Sequence, residues 1–134
     1  MPIAYVAVGS NLGDRERWHA LAKSGLGDLD GVRLDTATRA QETAPLGGAD
    51  QPLYLNRMIR LETTLTPHAL LGACHDLERA AGRDRSQRWA SRTLDLDLVR
   101  YDDVTCDTPT LVLPHPGLRD RTFWAREIAE LEAR

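Results

Sequence analysis

Asp95 and Asp97 stand two residues apart in the run Arg92-Thr93-Leu94-Asp95-Leu96-Asp97-Leu98, directly after Arg83, Arg85, Arg88 and Trp89. On a strand, alternate residues share a face, so the two aspartates point one way and Leu94, Leu96 and Leu98 the other. The leucines can face a core. The paired carboxylates repel each other unless a cation bridges them, and carboxylates together with substrate phosphates are the usual way to hold Mg²⁺. Arg79, Arg83, Arg85, Arg88 and Arg92 fall within fourteen residues, and guanidinium groups suit phosphate oxygens. Acids for a metal beside arginines for phosphates point to phosphoryl transfer on a nucleotide. A solvated acidic face on an edge strand is the plainer alternative.

The elements that must position these residues follow from periodicity and turn chemistry. Residues 3–8 form an apolar run that ends at Gly9 and reads as a buried strand. Gly9-Ser10-Asn11-Leu12-Gly13-Asp14 turns into a helix, with Ser10 or Asn11 as cap and Trp18, Leu21, Ala22 and Gly25 on one face. Residues 32–42 read as a moderately polar edge strand, followed by a long Gly- and Pro-rich loop over 43–52. Residues 54–65 give the next strand. Thr66-Pro67 opens a second helix with a buried stripe of Leu70, Leu71, Cys74, Leu77 and Ala81, and Gly82 ends it. A strand over 93–101, a turn at Asp102-Asp103, a small hairpin over 104–113 and a short helix over 123–132 complete the chain. The order strand, helix, strand, strand, helix, strand predicts an α+β, ferredoxin-like split βαβ sandwich: an antiparallel sheet with helices packed on one face.

The 134 residues suffice for a single domain with one core, expected to span 1–134. Hydrophobic content of 42%, charged content of 28% and a net charge of −3 are ordinary for a soluble protein and give no reason to expect nucleic acid or an anionic membrane as partner. Cys74 and Cys106 have no metal-site spacing and fit a reducing cytoplasm; Cys74 reads as a small core residue. Neither a signal peptide nor a run of membrane-spanning length is visible. Small-molecule substrates and a monomer are expected.

Several separate segments stand out: Ala7-Val8-Gly9-Ser10-Asn11-Leu12-Gly13, then Pro45-Leu46-Gly47 with Gln51-Pro52-Leu53-Tyr54-Leu55-Asn56, then Glu78 with Gly82-Arg83, Arg88-Trp89, the Arg92 to Asp97 string, and Leu113-Pro114-His115 with Phe123. Together, and in this order, they resemble the 6-hydroxymethyl-7,8-dihydropterin pyrophosphokinase family of folate biosynthesis. The family moves pyrophosphate from ATP to the hydroxymethyl group of a reduced pterin and releases AMP. The resemblance implies that Asp95 and Asp97 hold two Mg²⁺ ions, and that Arg83 and Arg92 are the catalytic arginines closing over the phosphates. It gives ATP the contacts His75, Glu78, Arg85, Arg88, Leu98, Leu111 and His115, with Leu98 and Leu111 flanking the adenine. The pterin would lie between Tyr54 and Phe123, with Asn56 on its amide-like edge. Thr43 and Leu46 would add backbone contacts, Gly9 would permit close approach, and Trp89 would enter from the loop above.

The chain also departs from the family pattern. Ala44 and Ser91 stand where prolines are common, which predicts looser loops. His75 replaces an expected glutamine, and Pro116 an aromatic. The resemblance implies more chain after Phe123 than the eleven residues through Arg134, so residues 123–132 are expected to close that side alone while the phosphate chemistry survives. Two alternatives stay open: a sister pyrophosphokinase acting on a modified pterin, and a non-catalytic nucleotide- or pterin-binding module on the same fold.

Overall fold

The computed structural model describes residues 1–44, 52–82 and 93–134. The elements run β1 (Ile3–Ser10), α1 (Arg15–Gly27), β2 (Val32–Ala37), β3 (Gln41–Thr43), β4 (Tyr54–Thr63), α2 (Pro67–Ala80), β5 (Asp95–Tyr101), β6 (Cys106–Asp107), β7 (Val112–Leu113), a 3₁₀ turn (Pro116–Arg119) and α3 (Thr122–Glu132). The main sheet has the order β2-β4-β1-β5, with β3 also on β4, and β6 and β7 form a separate ribbon. Among the described residues every pairing is antiparallel. Two βαβ halves interleaved with β1 and β4 in the centre are the expected ferredoxin-like topology.

β1 is central because it is apolar on both faces: its residues from Ala4 onward are all buried. Leu94, Leu96 and Leu98 alternate with half-buried Asp95 and Asp97, as a period of two requires. α1 and α2 cover one face through Ala22, Leu26, Leu70 and Cys74, which meet Val6, Val8, Leu61 and the β5 leucines. Burying each such leucine contributes about 1.5–3 kcal/mol.

Helices do not pack on one face alone. α3 lies on the opposite face, where Trp124, Ile128 and Leu131 cover Tyr5, Ala7, Met58 and Val99. Their spacing is a helical stripe, and β1 and β4 offer small or flexible apolar residues on that side. Alternation lets β5 serve both cores, Leu98 on the α1 and α2 side and Val99 on the α3 side, and a β-bulge, where the register against β1 shifts between Tyr5 and Val6, leaves Val99 without a partner on β1.

Three other expectations change. The strand predicted over 32–42 is two strands, because Thr38 turns in to bind β4: its N–H donates to Met58 O at 3.0 Å and its hydroxyl accepts from Met58 N–H at 2.9 Å. Asp14, rather than Ser10 or Asn11, caps α1 by accepting from Arg17 N–H. On α1 the buried positions are His19, Ala22 and Leu26, with Trp18 and Leu21 only partly covered. α2 begins at the Thr66 cap with Pro67 in its first turn and gives way to Gly82 at φ +78°, as its sequence signals.

Candidate active site

Strand register sets one row across the sheet: Gln41 opposite Asn56, Asn56 opposite Gly9, Gly9 opposite Asp95. The next row is Met58, Ala7 and Asp97. Trp124 at the start of α3 packs on this second row and its neighbours. A Cβ on Gly9 would stand 3.2 Å from Asn56 Oδ1 and 3.5 Å from the Tyr54 ring, so the missing side chain keeps a slot between these groups. Asn56 Nδ2 donates to the Thr43 hydroxyl. Gly9, Thr43, Tyr54 and Asn56 are thus brought together, and Phe123 packs beside Trp124 at the edge of the same layer.

A groove of about 270 Å³ runs along the outer edge of β5. Leu71 and His75 of α2, Asp97 and Leu98 of β5, Leu111 of the ribbon, and His115 are among its walls. Five positions assigned to metal or nucleotide therefore share one cavity. The sequence reading missed Leu71 and residues 108–110 as wall positions; their spacing carries no chemical signature, and the ribbon has to fold back before it makes a wall.

His115 is held from three sides. Its N–H donates to Val99 O at 2.8 Å, its Nδ1 accepts from Gly117 N–H at 2.9 Å, and its ring meets Trp124 edge-on at 5.1 Å. With Nδ1 accepting, Nε2 carries the proton and points toward Asp97 Oδ1, 3.6 Å away. Pro116, a departure from the family pattern, opens the 3₁₀ turn that supplies this Gly117 N–H.

Glu78 is 1% exposed, and its Oε2 accepts the N–H of Leu96 at 2.8 Å. The carboxylate therefore grips the edge strand midway between the two aspartates. Cys74 lies in the core beneath them. Burial pushes its thiol up to about 12, with the charges of Glu78 and Asp97 acting the same way.

Asp95 and Asp97 fit a Mg²⁺ site of the kind completed by substrate. They share a face, are both half-buried, and Asp97 opens onto the groove. Among the described residues no third acidic, histidine or cysteine ligand joins them in a metal-binding cluster. Mg²⁺ commonly takes one or two carboxylates and fills its other positions with water and phosphate oxygens. Leu46, Arg83, Arg85, Arg88, Trp89 and Arg92, with Ser91, lie outside the described residues. Their flanks are described: the Thr93 hydroxyl donates to Ala81 O at 2.7 Å, bringing Thr93 against the end of α2.

Residues 5–133 match the family of 7,8-dihydro-6-hydroxymethylpterin-pyrophosphokinases. The chain belongs to that family. It is 37% identical over 131 residues to the 2-amino-4-hydroxy-6-hydroxymethyldihydropteridine pyrophosphokinase of Methylorubrum extorquens, a match spanning 98% of this chain and 83% of that protein. Against the Bacillus subtilis protein of the same name the identity is 36% over 129 residues, 96% of this chain and 77% of the relative. Against that of Haemophilus influenzae it is 38% over 124 residues, 92% and 77%. Membership of the pyrophosphokinase family rests on nearly the full length, so both halves of the sheet carry it. Among the described residues no helix is long and apolar enough to cross a membrane.

Proposed function

We propose that the chain transfers the β,γ-pyrophosphoryl group of ATP to the hydroxymethyl oxygen of 6-hydroxymethyl-7,8-dihydropterin and releases AMP, a step of folate synthesis. The observation that carries this reading is the place of Asp97. It lines the groove with His75, Leu98, Leu111 and His115, and it stands one row from Gly9, Asn56 and Asp95. A nucleotide in the groove would point its phosphates at the aspartates, and a flat heterocycle in the Gly9 slot would present its substituent to the same place.

The roles of individual residues are part of the proposal. The pterin hydroxyl oxygen attacks the β-phosphorus and gives up its proton to solvent, the bond from that phosphorus to the bridging α-phosphate oxygen breaks, and the electron pair leaves on AMP. Asp95 and Asp97 would hold two Mg²⁺ ions, which when bound neutralise phosphate charge and align the attacking and leaving oxygens. His115 donates from Nε2 to a phosphate oxygen. Glu78 keeps the aspartates in place through Leu96. Leu98 and Leu111 give the adenine apolar walls. Tyr54 and Phe123 hold the pterin, each ring contact contributing roughly 0.5–1.5 kcal/mol beyond area burial. Arg83 and Arg92 bind the transferred phosphates, assisted by Arg85 and Arg88. One domain serving both substrates in the cytoplasm completes the reading.

The test is to incubate the protein with ATP, Mg²⁺ and 6-hydroxymethyl-7,8-dihydropterin and to separate the nucleotide products. AMP formed in step with pterin diphosphate is expected. ADP would overturn the assigned bond cleavage. AMP only with a differently substituted pterin would move the assignment to a sister enzyme.

A further inference from the structure

Three polar side chains leave the first turn and α1 at a spacing of four: Asn11, Arg15 and His19. Arg15 and His19, four apart, lie along one face of α1, and Asn11 stands in the turn that precedes it. Each side chain reaches a main-chain carbonyl in the segment that leads into and opens β4. Asn11 Nδ2 donates to Pro52 O at 3.1 Å, Arg15 Nη1 donates to Leu53 O at 3.0 Å, and His19 Nε2 lies 2.8 Å from Leu55 O. The three carbonyls straddle Tyr54.

We propose that Asn11, Arg15 and His19 are positioning residues for the pterin pocket, a ladder of donors that fixes the main chain on both sides of Tyr54. The inference rests on the reading that Tyr54 and Asn56 hold the pterin. Pro52 and Leu53 precede β4, so the strand ladder does not set their course. The ladder of side chains does, from the face of the sheet covered by α1. Tyr54 and Asn56 project to the other face, toward Gly9.

Arg15 does more than hold one carbonyl. Its Nη1 is also 3.7 Å from Glu42 Oε2 on β3. Glu42 precedes Thr43, which is in register with Tyr54 and accepts from Asn56 Nδ2. One guanidinium therefore links the chain entering and leaving the pocket. The pair is partly solvent-exposed, so screening leaves its charge attraction small and makes its contribution geometric. His19 is 1% exposed. Burial lowers its pKa, and the Arg57 and Arg15 charges add to this against Glu16 and the Leu55 bond. A neutral ring donating from Nε2 satisfies Leu55 O without introducing a charge into the core.

The experiment measures binding rather than turnover. Affinity for 6-hydroxymethylpterin is read from its fluorescence with α,β-methylene-ATP and Mg²⁺ present, and affinity for that nucleotide by calorimetry. Arg15→Ala and His19→Leu should each weaken pterin binding about tenfold, the scale of one well-placed hydrogen bond. Nucleotide affinity should stay within about twofold. Arg15→Lys and His19→Gln keep a donor and should recover part of the loss. Thermal melts identify any variant whose fold is lost. Equal weakening of both ligands, or no rescue by the donor-retaining variants, overturns the proposal. Tyr54→Ala separates the two readings. If it leaves pterin affinity unchanged, the pterin pocket is misassigned and the proposal falls with it. If it weakens pterin binding while Arg15→Ala and His19→Leu do not, the ladder alone is refuted.

Discussion

At Asp97 two demands meet, since the same carboxylate lines the groove proposed for the nucleotide and sits beside the His115 ring. It is half-buried and takes no part in either apolar cluster, so losing it should cost the fold little. Asp97→Ala is expected to lower turnover by about 10³ or more, on the scale of removing metal-assisted phosphoryl transfer, with a melting temperature close to that of the unchanged protein. Turnover above about a tenth of the original would show that the acid pair is not the metal site. Gly9 makes the reciprocal point by having no side chain. Gly9→Ala places a methyl 3.2 Å from Asn56 Oδ1 and 3.5 Å from the Tyr54 ring. Pterin affinity should drop about tenfold while nucleotide affinity holds, as separate titrations would reveal.

Among the elements, β5 is held by contacts the acidic motif does not announce. It is an edge strand, and an edge strand has unpaired main-chain groups. Glu78 supplies a partner to one of them, Leu96 N–H. Glu78→Ala should destabilise the protein by about 2 kcal/mol, because a buried donor loses its acceptor. Glu78→Gln keeps a carbonyl oxygen and should lose less. Urea unfolding of both variants ranks them, and equal losses would mean that the bond to Leu96 contributes little. α2 carries this residue and ends just before Thr93 returns against Ala81, so helix and strand are fixed to each other at the site.

For the molecule as a whole, the second core behind α3 brings an ionisable group inside. Glu127 is 4% exposed and accepts from the Thr38 hydroxyl at 3.1 Å. Burial raises its pKa from 4.5 to about 7, against the opposing effect of the Thr38 and Gln41 side chains and Arg126. The folded state therefore holds a proton that the unfolded chain has already released. Stability contributed by this group is full below about 4.5, falls as pH rises, and levels off above about 7. Glu127→Gln removes the titration. The variant should gain roughly 1–3 kcal/mol relative to the parent between pH 4.5 and 8, measured by denaturant unfolding at both values. A stability difference independent of pH would show that Glu127 keeps an ordinary carboxyl in the fold.

Local pattern alone was enough for the acid pair, the alternating leucines of β5, the Thr66 cap, the Gly82 stop and the strand–helix order, because each depends on neighbours within a turn or a pleat. From these the antiparallel sheet followed, while the family resemblance rested on separate motif segments from Ala7-Val8-Gly9 to Leu113-Pro114-His115. Long-range pairing supplied the rest. The row from Asn56 through Gly9 to Asp95 exists because β4 and β5 flank β1, and no spacing along the chain encodes that adjacency. α3 crosses to the second face because Tyr5, Met58 and Val99 leave apolar area there to cover. Glu78 reads in the sequence as a nucleotide contact and His19 carries no signal there, yet both are buried where a distant strand offers a main-chain group for them to bind.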